Sequence, residues 1–263
     1  MRKSTKFYYL CQLFSCFILT QKMKVKYFTL PNILTLANLL CGSIASLCAV
    51  SHIWAPEVMS LKVPLLFILA SALFDFLDGM AARLTGQYSP LGVQLDSLAD
   101  MVSFGLTPSL ILTALYLGGN GVGAWWLVTL AVVACSALRL ARFNIDDEQH
   151  ESFIGLPTPA CALAIGSLAW AVEEGMFALS PSVILVVSIV AAWLLISPIK
   201  MFSLKFKGLS LRDKTNRLRY AFLLVAAAAL IIGGLGVLWG IIILYILASI
   251  ISTLACKSQT KEQ

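Results

Sequence analysis

From residue 31 onward the chain alternates long apolar runs with short polar breaks, and eight runs approach the ~20 residues that a helix needs to cross a bilayer. They lie at approximately 31–52, 63–84, 91–117, 124–143, 157–173, 182–198, 218–234 and 236–255. The connections are short, and no linker, clear repeat or low-complexity run divides them. The pattern predicts an all-α integral membrane protein of about eight transmembrane helices, folded as one polytopic domain over residues 23–263.

Composition excludes the alternative of a soluble domain. Of 263 residues, 59% are hydrophobic and only 12% charged, a balance that would aggregate if exposed to water. Residues 7–20 form an apolar run of 14, short for a span and without the small-residue cleavage site of a signal peptide. Residues 1–22 are therefore expected to be an interfacial segment or an upstream mis-start, with Met23 opening the membrane domain.

Charge orients the predicted spans. With the N-terminus inside, 18 of the 19 lysines and arginines fall on the cytoplasmic side and only Lys62 on the other. This is the positive-inside bias expected of a protein in the cytoplasmic membrane with both termini cytoplasmic. No nucleic-acid motif accompanies the net charge of +6, so the basic surface is expected to meet anionic lipid headgroups of the bilayer and no nucleic acid. The seven cysteines show no paired spacing and mostly sit in apolar runs, where a thiol behaves as a small hydrophobe. His52 and His150 are isolated, in predicted loops. Trp54, Trp125, Trp126 and Trp239 fall near predicted span ends, as interfacial aromatics do.

Four aspartates break the apolar background. The order is Asp75-x-x-Asp78-Gly79-x-x-Ala82-Arg83, eight residues, then Gly92-x-x-x-Asp96-x-x-x-Asp100. At roughly 2.5 to 3.5 kcal/mol for each carboxylate at the centre of a span, four left bare would cost about 10 kcal/mol or more. On helices, 75, 78, 79, 82 and 83 share one face, and so do 92, 96 and 100, so all four carboxylates can converge between spans two and three. Gly86, Ser89 and Pro90 supply the break between those spans, and Asp75 and Asp100 each lie about 12 Å from the hairpin's cytoplasmic end. All-oxygen ligands favour two divalent cations, Mg²⁺ or Mn²⁺, over zinc.

Other polar groups can serve the same site. Gly79, Ala82 and Gly92 leave room for a phosphate or a neighbouring helix. Arg83, Arg139 and Arg142 offer guanidinium forks suited to phosphate or carboxylate. Asn32, Thr35, Asn38 and Gly42 form a stripe along span one, available either to a nucleotide or to a neighbouring helix. Arg139 and Arg142, with Asn144 two residues on, are candidates for binding a carboxylate or a phosphate.

The run from Asp75 to Asp100 resembles the complete signature of the CDP-alcohol phosphatidyltransferases, with every defining position matched. The resemblance covers most of residues 31–219, and PNILTLANLLCGSIA, DSLADMVSFGLTP, ALRLARFN and FIGLPTPA are similar to the branch that uses serine. Ser97 and Met101 stand where related branches making phosphatidylglycerol phosphate commonly carry Pro and Lys. The resemblance implies transfer of a phosphatidyl group from CDP-diacylglycerol to L-serine, releasing CMP, in a homodimer. It implies Asp75, Asp78 and Asp96 as metal ligands, and Asp100 as both metal neighbour and general base. Gly79, Ala82 and Arg83 would line the donor's pyrophosphate and cytidine.

Two alternatives remain open at this level. The acceptor could be another alcohol, such as glycerol 3-phosphate or an inositol phosphate, although a phosphorylated acceptor would call for more cationic groups than Arg83, Arg139 and Arg142. A cation or proton transporter would also bury carboxylates. That class predicts polar groups continuing to the far leaflet, where spans two to four are nearly all apolar.

Overall fold

The computed structural model describes residues 27–145, 154–199, 201 and 225–259, and the proposed extension 1–22 and His150 lie outside them. The described residues are helical apart from short connections. In chain order, α1 is Leu30–Trp54, α2 Lys62–Thr85, α3 Pro90–Gly118, α4 Gly123–Ile145, α5 Thr158–Glu173 and α6 Pro181–Ile196. Residues 225–233 form α7, and a 3-10 turn at Leu235–Val237 leads into α8, Leu238–Gln259.

Four helices, α1 to α4, are long and apolar enough to cross a membrane by length and composition, and they coincide with the first four predicted spans. The later apolar helices are shorter, with 16 residues each in α5 and α6. The apolar outer surface agrees with a membrane protein: Leu40, Leu47, Phe76, Leu98 and Leu138 are all exposed.

Local chemistry sets the helix ends nearest the carboxylates. Thr29 caps α1 by accepting the Asn32 amide at 3.4 Å, with Pro31 in the first turn. Gly86 ends α2 in the left-handed region at φ 63°, where an L side chain is disfavoured. Ser89 then caps α3 by accepting the Gly92 amide at 2.9 Å, followed at once by Pro90. The predicted tight hairpin is therefore present.

Helix α3 is the central shaft. Of its most apolar stretch 72% is buried, against 39% in α1, 28% in α2 and 17% in α4. Phe104, Ile111 and Leu112 of α3 pack with Ala45 and Ala49 of α1, Ile68 of α2, Ile165 and Ala169 of α5, and Ile184 of α6. α3 is not uniform: Pro90–Asp100 is α-helical, Met101–Leu106 is a π turn, and α geometry resumes at Thr107. The Thr107 amide reaches back to the Val102 carbonyl, one residue further than in an α-helix.

The connection into α5 is also anchored. Gly155, at φ 78°, donates its amide to the Ile199 carbonyl at 2.9 Å, and Leu156 donates to the Leu194 carbonyl at 2.9 Å. A Cβ on Gly155 would lie 2.6 Å from the Leu195 carbonyl oxygen, so both its φ and its surroundings require glycine. This fixes Thr158, the first residue of α5, beside α4. At the other end of the bundle, Glu173 accepts from Ser60 Oγ at 2.7 Å and from the amides of Leu61 and Lys62 at 3.2 and 3.1 Å, capping α2. His52, expected in a loop, instead lies in the last turn of α1, with Nδ1 2.5 Å from the Met59 carbonyl. Trp54 ends α1 exposed, and Trp239 meets Phe177 edge-on with ring centroids 5.4 Å apart.

Candidate active site

The carboxylates converge because α2 and α3 form one hairpin. One oxygen from each of Asp75, Asp78 and Asp96 lies within 4.8 Å of the others, close enough to share a cation. Asp75 and Asp96 are also within hydrogen-bonding reach of each other, an approach that two bare carboxylates resist unless a proton or cation lies between them. Asp96 Oδ1 is buried without a hydrogen-bond partner, an acceptor of the kind a metal ion satisfies. Three hard oxygen donors fit a divalent cation of the Mg²⁺ or Mn²⁺ class.

Asp100 falls outside that group of three and is buried, as Asp78 is. It interacts electrostatically with Asp75, Asp96 and Asp78, so it belongs to the same site. Helix α1 supplies the facing wall. Thr35 Oγ1 donates to Asp78 Oδ2 at 2.5 Å, and Asn38 Nδ2 donates to Asp100 Oδ1 at 3.1 Å. Asn32 has its side-chain amide on the Tyr27 carbonyl at 2.9 Å. Of the two roles left open for the α1 stripe, Thr35 and Asn38 take the second, contact with neighbouring helices, through bonds to the carboxylates of Asp78 and Asp100.

A cleft of about 220 Å³ opens beside the cluster, lined by Asn32, Thr35, Asp78, Gly79, Ala82, Arg83 and Asp96, together with Gln87, Tyr88 and Ser89 of the hairpin turn. A Cβ on Gly79 would meet nothing within 4 Å, so this glycine presents bare backbone to open space. Arg83 is exposed on the cleft wall. Asn38 does not line the cleft and is fully buried behind Asp100. Gln87 and Tyr88 were missed because turn residues outside the aspartate pattern carry no spacing signal.

The second arginine pair divides. Arg139 points into the bundle, donates Nη1 to Thr158 Oγ1 at 3.3 Å, interacts electrostatically with Asp100, and leaves its buried Nε without a hydrogen-bond partner. Arg142, one turn on, is exposed. Asn144 is exposed too, its amide donating to Ser97 Oγ at 2.9 Å and tying α4 to α3. Arg139 thus faces Asp100 from α4.

Residues 28–197 match the family model of CDP-alcohol phosphatidyltransferase, which spans every element of this site. The chain belongs to that family. It is 33% identical over 226 residues to the CDP-diacylglycerol–serine O-phosphatidyltransferase of Mycobacterium leprae, covering 82% of this chain and 72% of the relative. The protein of the same name from Bacillus subtilis is 32% identical over 174 residues, covering 65% of this chain and 88% of the relative. That from Mycobacterium tuberculosis is 38% identical over 154 residues, covering 56% of this chain; the match spans about half of that relative's length, 51%.

Proposed function

We propose that this protein transfers the phosphatidyl group of CDP-diacylglycerol to L-serine, forming phosphatidylserine and CMP. The observation that carries the reading is the convergence of Asp75, Asp78 and Asp96 within 4.8 Å beside an open cleft, in a chain whose relatives bear the name of that activity. Asp75, Asp78 and Asp96 hold two divalent cations, Mg²⁺ or Mn²⁺, with Asp100 as their neighbour. When bound, such ions neutralise the donor's diphosphate and the leaving nucleotide.

The chain's own groups supply the rest. Gly79 and Ala82 let the donor phosphates approach the backbone, and Arg83 adds a guanidinium at the cleft wall. Asp100 accepts the proton of the serine hydroxyl as its oxygen attacks phosphorus, and CMP departs. Arg139 receives the serine carboxylate: it is half-buried, close enough to Asp100 to interact with it, and has a buried, unpartnered Nε–H to donate. Arg142 and Asn144, at the exposed end of α4, border the lipid phosphate.

The same reading places the hairpin end of α2 and α3 at the cytoplasmic face of the cytoplasmic membrane. α5, α6, α7 and α8 complete eight spans, both termini are cytoplasmic, and the protein works as a homodimer. The positive-inside distribution supports the orientation.

The test is CMP release by the purified protein in detergent with CDP-diacylglycerol, Mn²⁺ or Mg²⁺, and a panel of alcohols. Serine-dependent release abolished by a chelator is expected. Near-normal turnover in saturating chelator would sink the two-cation account, and preference for glycerol 3-phosphate or an inositol phosphate would overturn the acceptor.

A further inference from the structure

Asp100 is approached from behind by a chain of polar groups that the reaction does not consume. Asn38 Nδ2 lies 3.1 Å from Asp100 Oδ1, and Ser103 Oγ lies 2.7 Å from Asn38 Oδ1. The direction of both bonds follows from chemistry. An ionised carboxylate only accepts, so Asn38 must turn its NH₂ toward Asp100 and its carbonyl oxygen toward Ser103, which must then donate. The Ser103 hydroxyl is what selects this orientation of the amide.

The surroundings fit that one arrangement. Ser103, Asn38 and Ser71 are each fully buried; the Asn38 backbone carbonyl accepts from Ser71 Oγ at 3.2 Å and lies 3.1 Å from Ser103 Oγ, whose single proton goes to the nearer Asn38 Oδ1. Ser103 sits in the π turn that follows Asp100, and that turn lies against α1 at Gly42. A Cβ at Gly42 would come 2.1 Å from Ser103 Oγ and 2.6 Å from Ser103 Cα, so α1 can approach only as glycine. One turn on, Thr107 Oγ1 lies 3.1 Å from the Gly42 carbonyl oxygen and 2.8 Å from Ser46 Oγ, clamping the far side of the same contact.

We propose that Ser103 and Asn38 are positioning residues for phosphatidyl transfer, a hydrogen-bond chain that engages one oxygen of Asp100 and leaves the other aimed at the acceptor hydroxyl. Neither touches substrate. The proposal rests on the reading of Asp100 as the base.

The experiment is a double-mutant cycle in the full-length protein. Ser103→Ala and Asn38→Ala should each lower kcat with serine saturating by roughly 10- to 100-fold, the scale of a misplaced reacting group. The KM for CDP-diacylglycerol and the Mn²⁺ concentration at half-maximal rate should stay within about two-fold of wild type, a split that general loosening of the fold would not produce. Ser103→Ala should cost nothing further in the Asn38→Ala background, since the chain is already cut. Ser103→Cys, with a weak donor of similar size, should fall between wild type and Ser103→Ala, and serves if the alanine variant does not fold. The two changes should also couple in thermal melting in detergent, a readout independent of catalysis. Unchanged kcat in Ser103→Ala, strictly additive effects, or uncoupled melting would each overturn the positioning role. If the coupling holds while Asp100→Asn transfers serine normally, the base assignment fails instead.

Discussion

The Thr35 hydroxyl stands 2.5 Å from Asp78 Oδ2, so a residue 43 positions earlier in the chain holds one of the three carboxylates that lie close enough together to share a cation. Hydrogen bonds to charged groups contribute about 1.5 to 3 kcal/mol. Thr35→Val keeps the shape and deletes the donor. It should raise the Mn²⁺ concentration needed for half-maximal CMP release by about 10-fold or more, while Thr35→Ser stays near wild type. Titrating activity and Mn²⁺ binding in both variants checks this, and equal behaviour of the two would show that the bond does not steady the ligand.

Two glycines should separate folding from function. At Gly79 an added Cβ meets open space, so Gly79→Ala should fold at least as well as wild type, helped by the ~1 kcal/mol by which alanine exceeds glycine in helices. The methyl would nevertheless stand in the cleft that the proposed function gives to the donor phosphates, and CDP-diacylglycerol affinity should then drop by at least about 10-fold, or ~1.4 kcal/mol. Gly42→Ala should do the opposite to stability, because its Cβ would fall 2.1 Å from Ser103 Oγ. Melting curves alongside donor-binding isotherms distinguish the two, and a Gly79→Ala protein that binds donor normally would remove that glycine from the cradle.

The aspartate hairpin was legible because its residues lie within one local run: helical spacing puts them on two faces, and Gly86, Ser89 and Pro90 announce the turn between. The first four spans were legible for the same reason, since length and hydropathy are local properties. The Thr35 and Asn38 contacts were not, because a polar stripe serves a ligand and a carboxylate equally well until the facing helix is known. The π turn was hidden too: Met101–Leu106 has no composition that announces one extra residue in the turn. Arg139 and Arg142 looked equivalent at the sequence level, because the contact of Arg139 with Thr158 of α5 and its interaction with Asp100 depend on how distant segments pack.

The division between those arginines gives a further expectation. Arg139→Ala should raise the KM for serine by roughly 100-fold or more, in line with removal of a buried, charge-assisted contact of about 3 kcal/mol. Arg139→Lys should recover only part of that, because an ammonium cannot reproduce the planar fork. Arg142→Ala, at an exposed position, should leave the serine KM within a few-fold of wild type. Steady-state kinetics at saturating CDP-diacylglycerol make the comparison, and a larger serine KM effect at Arg142 would reverse the assignment.

Asp100 and Asp78 should differ in kind. Asp78 belongs to the trio within 4.8 Å and lines the cleft, whereas Asp100 stands behind it with one oxygen bonded to Asn38. Asp100→Asn preserves shape but cannot accept the serine proton, and losing a general base typically costs ~10² to 10⁴ in rate. It should therefore bind CDP-diacylglycerol nearly as wild type does and fail at transfer. Asp78→Asn removes anionic charge from the clamp, so cation binding and donor affinity should fall together. Donor binding and single-turnover serine transfer, measured for both, decide the matter. If Asp100→Asn binds donor poorly yet transfers normally once saturated, Asp100 is a ligand and the proton goes elsewhere.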